Sequence, residues 1–260
     1  MRLTTLASSS SGNCTLVSQD STHVLIDAGI SFKRICEGLH SVDLSPADLS
    51  AVLVTHAHTD HTSGLKIMCK NIGARIHATS YALGAIEGLF AAETETGEVA
   101  PASAIDIGGL EISAFETSHD SPGSVGYCIT YNSKKLVFAT DLGIVTQAVL
   151  DAAAGAELAV IEANHDRTMV KTGRYPPSLK RRILSEVGHL SNLACGDFAA
   201  RIVQSGTRRL VLAHLSLENN TPELAFRDVS AALEKSGCRV GRDVSLSVAP
   251  HLTCGAVIEL

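Results

Sequence analysis

Four side chains of the kind that hold transition metals fall within six consecutive positions: His56, His58, Asp60 and His61, in the stretch Thr55-His-Ala-His-Thr-Asp-His61. His56 and His58 are two apart, so an extended backbone points both to one side. Asp60 and His61 follow where the chain has to turn into a helix, expected over Thr62 to Asn71, and they can face the same point from another direction. Neutral imidazole and carboxylate suit zinc, manganese or iron, and the absence of thiolate from the cluster argues against a closed structural zinc site. Just ahead runs Val52-Leu-Val54, a short apolar run of the kind that makes a buried strand, so the cluster lies on the loop where that strand ends.

Three more residues of ligand type stand where predicted strands end. His119 follows Phe115-Glu-Thr-Ser118, Asp141 follows Val137-Phe-Ala-Thr140, and His214 follows Val211-Leu-Ala213. A lone histidine at a strand end is ordinarily a satisfied loop residue. The H-x-H-x-D-H motif, however, resembles the signature of the metallo-β-lactamase-fold hydrolases, and the downstream order His, Asp, His matches that family's remaining motifs. The resemblance implies that His56, His58 and His119 hold one metal, that Asp60, His61 and His214 hold the other, and that Asp141 bridges them. Two divalent ions (Zn2+, Mn2+ or Fe2+) about 3.5–4 Å apart would lower the pKa of a bridging water and clamp both oxygens of an in-line displacement. Asp27 and Asp120 are candidate acceptors for the outer nitrogens of the ligating rings.

The family's branches separate on these positions. A bridging Asp141 argues against true β-lactamases, and His58, where the oxygen-reducing diiron branch carries Glu, argues against redox work. The nuclease branch with a large inserted cap does not fit a chain of 260 residues. Gly188-His-Leu-Ser-Asn192 opens a helix, with Ser191 or Asn192 as cap, and a helix start binds phosphate. With Arg209-Leu-Val-Leu-Ala-His-Leu-Ser216 it is similar to the paired motifs of the tRNA 3′-processing nucleases, which implies that His189 contacts the scissile phosphate or protonates the leaving oxygen. Asp60 and His189 are therefore the catalytic candidates.

A longer series resembles one narrower group. It comprises Ser8-Ser-Ser-Ser-Gly-Asn13, the histidine motif, His119-Asp120, Thr140-Asp-Leu-Gly143, Glu162-Ala-Asn-His-Asp166, Gly173-Arg-Tyr-Pro176, Gly188-His-Leu-Ser-Asn192 and Ala213-His-Leu-Ser-Leu-Glu-Asn-Asn220. It looks like the YycJ/WalJ group of bacteria and implies a metal-dependent 5′-to-3′ exonuclease on double-stranded DNA, associated with mismatch repair. The partner expected is nucleic acid, DNA ahead of RNA. The alternative is a thioester or acyl hydrolase of the glyoxalase II type, which also has a bridging Asp. A metal-bearing scaffold without turnover is disfavoured, because no ligand position is missing.

A polyanion needs a positive surface, and the net charge is −6. The one uncompensated basic run is Lys171-Thr-Gly-Arg-Tyr-Pro-Pro-Ser-Leu-Lys-Arg-Arg182, which is either a solvated helix face or a phosphate track. Tyr175 either stacks on an unpaired base or packs beneath the loop; His165 either meets substrate or bonds Asp166. The candidate substrate contacts are Ser10, Asn13, His165, Arg174, Lys180, Arg181, Arg182 and Asn219.

The elements that must position these groups read as strand clusters interrupted by helices. That pattern fits an α/β (α+β) class: an αββα sandwich of two mixed β-sheets with helices outside, expected as one domain over residues 1–260. Aromatics are scarce and Trp is absent, so the core must be aliphatic. Glu93 to Pro101 reads as a surface connection, Asn164 to Tyr175 as a polar loop, and Ile144–Ala153, Pro176–Val187, Leu193–Gln204 and Pro222–Lys235 as helices. The seven cysteines are scattered without a C-x-x-C pair, as in a reducing compartment. With no signal-peptide apolar core and no run long enough to span a bilayer, a cytoplasmic protein without membrane contact is expected.

Overall fold

The computed structural model describes residues 1–260. Its first half builds strands β1 (Arg2–Ala7), β2 (Cys14–Gln19), β3 (Thr22–Ile26), β4 (Ala51–Leu53), β5 (Arg75–Ala78) and β6 (Thr96–Glu98). The second half builds β7 (Ala104–Ile107), β8 (Leu110–Glu116), β9 (Val125–Tyr131), β10 (Lys134–Ala139), β11 (Leu158–Glu162), β12 (Arg209–Ala213) and β13 (Ser245–Val248) in a second sheet. The last strand, β14 (Ile258–Glu259), returns to the first sheet and pairs with Arg2 and Leu3. Each sheet is mixed. Pairs β1–β2, β2–β3, β7–β8, β8–β9 and β9–β10 are antiparallel; β3–β4–β5–β6 and β10–β11–β12–β13 are parallel.

The central strands are buried on both faces, which explains their near-continuous apolar sequences. In β11, Leu158 and Val160 enter the layer between the sheets, while Ala159 and Ile161 face the helices. In β12, Val211 and Ala213 face inward, and Leu210 and Leu212 outward. The helical layers are α1 (Phe32–His40), α2 (Thr59–Thr62), α3 (Leu65–Asn71) and α4 (Ser80–Ile86) in the first half, and α5 (Gln147–Ala153), α6 (Arg167–Thr172), α7 (Pro177–Ile183), α8 (Asn192–Gln204) and α9 (Pro222–Lys235) in the second. Ile35 of α1, Leu65 and Met68 of α3 and Ile86 of α4 seal the outer face of the first sheet. Val149 of α5, Phe198 and Ile202 of α8, and Val229 and Leu233 of α9 seal the second. The expected αββα sandwich with an aliphatic core is what the chain forms. No helix is long and apolar enough to cross a membrane.

Several boundaries differ from expectation for local reasons. The helix expected over Thr62 to Asn71 breaks into α2 and α3 at Gly64, whose N–H donates to the Ala28 carbonyl at 2.8 Å. A Cβ at Gly64 would lie 2.2 Å from the Ile30 oxygen, so only glycine lets the break pack there. The loop expected over Asn164 to Tyr175 contains α6, because Asp166 caps it by accepting from Met169 N at 2.8 Å. The surface connection from Glu93 to Pro101 contains the short edge strand β6. The helix expected from Ile144 starts only at Gln147, after its cap Thr146, and the one expected to reach Val187 stops at Ile183.

Register delivers the chemistry to one end. Ile26 lies opposite Leu53 in the first sheet, and Ala139, Ile161 and Leu212 lie in line in the second. The residues that follow these positions emerge together at the carboxyl ends of the parallel strands, where sites of α/β sheets form.

Candidate metal centre

The loop after β4 brings His56 and His58 to the same point. His56 Nε2 lies 3.0 Å from His58 Nδ1, and His119 Nε2, arriving after β8 on the other sheet, lies 3.1 Å from that same nitrogen. Asp60 Oδ2 lies 3.3 Å from both His61 Nε2 and His214 Nε2. Asp141 stands between the two groups. Its Oδ2 is 3.4 Å from His61 Nε2, and its Oδ1 is 3.8 Å from His119 Nε2 and 3.6 Å from His214 Nε2. Within each of the trios His56–His58–His119 and Asp60–His61–His214 the candidate ligand atoms lie within 4.8 Å of one another. All seven residues implied as ligands by the resemblance therefore converge.

The outer nitrogen of each ring is occupied, which sets the tautomers. His61 Nδ1 donates to Asp27 Oδ2 at 2.7 Å, and His214 Nδ1 donates to Glu162 Oε1 at 2.9 Å. His119 Nδ1 donates to the Gly188 carbonyl at 3.2 Å. His56 Nδ1 meets Thr55 Oγ1 at 3.1 Å, and that hydroxyl donates to Asp27. His58 is turned the other way: its Nε2 is 3.5 Å from Asp120 Oδ1, and Nδ1 faces inward. Five inner ring nitrogens are thus aimed at one region. Asp141 Oδ2 is buried there with no hydrogen-bond partner. Imidazole nitrogens and carboxylate oxygens turned towards one another in a buried pocket are what a cation can hold together in place of protons.

Charge follows the same division. Burial holds His56, His58 and His119 below the ordinary imidazole range, as neutral rings. Burial also disfavours charge on His61 and His214, but the surrounding carboxylates outweigh it. Asp141, Asp27 and Asp60 raise His61 well above the usual value, and Asp141, Asp60 and Glu162 push His214 up to about 10.

The backbone is strained where the strands hand over to the site. Asp27, Asp141 and His214 adopt left-handed φ of 62°, 60° and 57°, a region in which residues other than glycine are uncommon. Gly29 makes the first of these turns possible, since a Cβ there would lie 1.7 Å from the Asp60 carbonyl oxygen.

One residue that sequence reading passed over is central. Glu162 closes the apolar strand β11 and is fully buried. Its Oε1 accepts from His189 Nδ1 at 2.8 Å as well as from His214 Nδ1. Its Oε2 accepts the backbone N–H of Leu142 at 2.9 Å and of Leu190 at 3.0 Å. Burial opposes ionisation, but the two histidines outweigh it and hold the carboxyl down at about 2. A carboxylate at the end of a fully apolar strand was the available signal. His189 is thereby oriented with Nδ1 engaged and the other ring nitrogen left for a cleft of about 330 Å³, whose wall includes Asp60, Asp141, His189, His214 and Arg182.

The candidate substrate contacts divide. Ser10 and Arg182 line this cleft, as does Tyr175. Arg182 is held in a bidentate pair with Asp120, with Nη2 2.9 Å from Oδ1, so Asp120 links the cleft guanidinium to His58. Arg174 and Arg181 are exposed but lie outside the cleft lining. Lys180 is spent on structure, donating to the carbonyls of Lys171 and Gly173. Asn13 is buried beneath the site, its amide nitrogen 3.2 Å from His61 Nε2 and 3.3 Å from the Asp60 carbonyl. Asn219 is buried and bonded to Ser216, and His165 is buried behind the cleft with Nδ1 unpartnered rather than bonded to Asp166.

The β-lactamase superfamily domain matches residues 22–215. The exodeoxyribonuclease YycJ of Bacillus anthracis is 37% identical over 244 residues, which cover 93% of this chain and 92% of that protein. The exodeoxyribonuclease WalJ of Streptococcus pneumoniae serotype 2 (strain D39) is 33% identical, over 92% of this chain and 90% of its own. Among solved structures, Zn(2+)-bound PqqB from Methylobacterium extorquens superposes over 100% of both chains with a TM-score of 0.76 at 17% identity, a likeness of fold.

Proposed function

On the premise that the chain belongs to the β-lactamase superfamily of metal-dependent hydrolases, and within it to the YycJ/WalJ group, we propose that it is a two-metal phosphodiesterase that shortens double-stranded DNA from its ends, in the 5′-to-3′ direction and in the service of DNA repair. The observation that carries the two-metal reading is the set of five inward-facing imidazole nitrogens around Asp141, whose Oδ2 has no partner. His56, His58 and His119 would hold one ion, Asp60, His61 and His214 the other, with Asp141 between them. Four carboxylates, Asp27, Asp60, Asp141 and Glu162, contact this cluster of rings, and two divalent cations would balance their charge. Zinc, manganese and iron all suit this donor set. When bound, such a pair supplies a nucleophile at neutral pH and neutralises charge building on the phosphate.

The chain's own residues do the rest. Glu162 fixes the His189 ring so that its free nitrogen faces the cleft, placed to protonate the departing oxygen. His189 belongs to neither trio, and in this reading its remaining ring nitrogen serves the substrate rather than an ion. Arg182, steered by Asp120, offers a planar guanidinium to a phosphate oxygen at the cleft wall. A cation and a general acid beside the candidate metal pair favour a phosphodiester over a thioester.

The test is the length of products from end-labelled duplex DNA incubated with manganese. Mononucleotides released progressively from the 5′ end are expected. Cleavage of lactoylglutathione with no release from DNA would replace this reading with a thioester hydrolase.

A further inference from the structure

The phosphodiesterase reading uses the cleft of His189. A second cavity, about 360 Å³, shares no lining residue with it and has His119 in its wall. Its volume falls in the range of small-ligand sites. The chemistry of its wall is different from that of the cleft. Glu98 and Glu116 contribute carboxylates and no Lys or Arg is present, so a phosphate would meet like charge. Thr79, Thr117 and Ser124 contribute hydroxyls. Thr117 Oγ1 and Ser124 Oγ hold each other at 2.7 Å, and Thr79 Oγ1 donates to the Gly123 carbonyl at 2.8 Å, so all three are fixed in place with acceptor capacity to spare. Tyr81, on α4, also lines the cavity and is 71% exposed, an aromatic ring with a free face. Such a wall suits a neutral, planar group rich in hydrogen-bonding atoms; His119 borders it by its backbone, with its ring turned into the ligand cluster.

We propose that this cavity is a nucleoside subsite. It takes the base and sugar of a nucleotide whose phosphodiester lies on the metal centre, with the base stacked on Tyr81 and the sugar against the hydroxyls. The position of the phosphate rests on the phosphodiesterase reading; capture of the nucleoside does not. The carboxylates leave the phosphates of the continuing strand to the cleft that contains Arg182.

Two measurements on the full chain test it. Saturation-transfer NMR of thymidine with the zinc-loaded protein reads nucleoside capture directly. Transfer to the base is expected with the parent and with Tyr81→Phe, is expected to vanish with Tyr81→Ala, and is expected to persist with Tyr175→Ala. Hydrolysis of the thymidine 5′- and 3′-p-nitrophenyl phosphates is then compared with that of methyl p-nitrophenyl phosphate, which has no nucleoside. Tyr81→Ala should lower kcat/KM for at least one thymidine ester about 10-fold or more, the worth of one stacked base, and leave the methyl ester unchanged. Absence of thymidine transfer in the parent, transfer indifferent to Tyr81, or transfer that depends on Tyr175 overturns the subsite. A parent that hydrolyses no phosphate ester yet shows Tyr81-dependent transfer overturns the phosphodiesterase reading and leaves the subsite standing.

Discussion

Asp141 and Glu162 are both buried carboxylates among histidines, yet their hydrogen bonds assign them different work. Asp141 has an unpartnered oxygen facing the ring nitrogens, whereas Glu162 has all its contacts satisfied by protein. Asp141→Ala should therefore cost at least one of two bound ions by elemental analysis; retention of both would remove Asp141 from the centre. His189→Ala should keep both ions and lower kcat by about 10²–10⁴-fold, the worth of one general acid. Glu162→Gln removes the acceptor shared by His189 and His214, so it should lower kcat and also weaken metal binding, by about 10–100-fold. The two variants separate proton transfer from metal support, and a Glu162→Gln protein with the parent's metal affinity would deny Glu162 its second role. His165 carries a pH prediction. Burial holds this ring, with its unpartnered Nδ1, down at about 4 against an ordinary value of 6.5. The unfolded chain therefore takes the extra proton first as pH falls. The stability linked to this ring is complete above pH 6.5, is lost progressively down to about 4, and amounts to about 3 kcal/mol at about 1.4 kcal/mol per unit. Urea unfolding of the parent and of His165→Asn between those limits should differ by a slope of this sign, the other histidines being common to both.

At the scale of elements, helix α7 and the strand ends decide what the site can hold. Arg181 and Arg182 are neighbours on α7, but only Arg182 lines the cleft and pairs with Asp120. Their effects on DNA should differ. Arg181→Ala should weaken duplex binding mildly and reduce the salt slope by about 0.9, one phosphate contact, with small-ester hydrolysis unchanged. Arg182→Ala should also slow small-ester hydrolysis, because Asp120 beside His58 loses its partner. Equal effects of the two on every readout would make α7 a uniform charged face. How far such elements could be read in advance follows from their dependence on local pattern. The histidine motif was legible because four groups of ligand type fall within six positions, and His119, Asp141 and His214 because their order after strand ends matches the family's later motifs. Helix α6 was not: its six residues carry little apolar periodicity, and it depends on the Asp166 cap. Strand β6 is a three-residue edge containing glycine, without a strand's pattern. Glu162 was overlooked because an acid closing an apolar strand marks its own position but not its partners. Its role depends on two histidines 27 and 52 positions away. The same long-range origin hides the internal duties of Lys180, Asn13 and Asn219.

At the scale of the molecule, the candidate ligands come from both sheets. His56, His58, Asp60 and His61 follow β4 of the first; His119, Asp141 and His214 follow β8, β10 and β12 of the second. Ions bound among them would fasten the carboxyl-terminal edges of the two sheets together. The apolar layer between the sheets already joins Val24, Ile26 and Leu53 to Tyr127, Phe138 and Val160, and strands such as β11 share their two faces between layers. Loosening one layer exposes the next, so we propose that the chain unfolds as one unit rather than sheet by sheet. Metal binding to the folded state alone then stabilises the whole molecule. At free metal about 100 times Kd, each ion contributes about 2.7 kcal/mol. For a chain of this size that corresponds to roughly 5–10 °C per ion. A calorimetric scan should show a single transition that moves down by that order on chelation and returns when zinc or manganese is restored. The shift should shrink in Asp141→Ala, which has less metal to lose. Two separable transitions, one indifferent to chelator, would mean that the sheets do not depend on each other. A chelated parent with an unchanged Tm would mean that metal at these candidate ligands does not hold the two halves together.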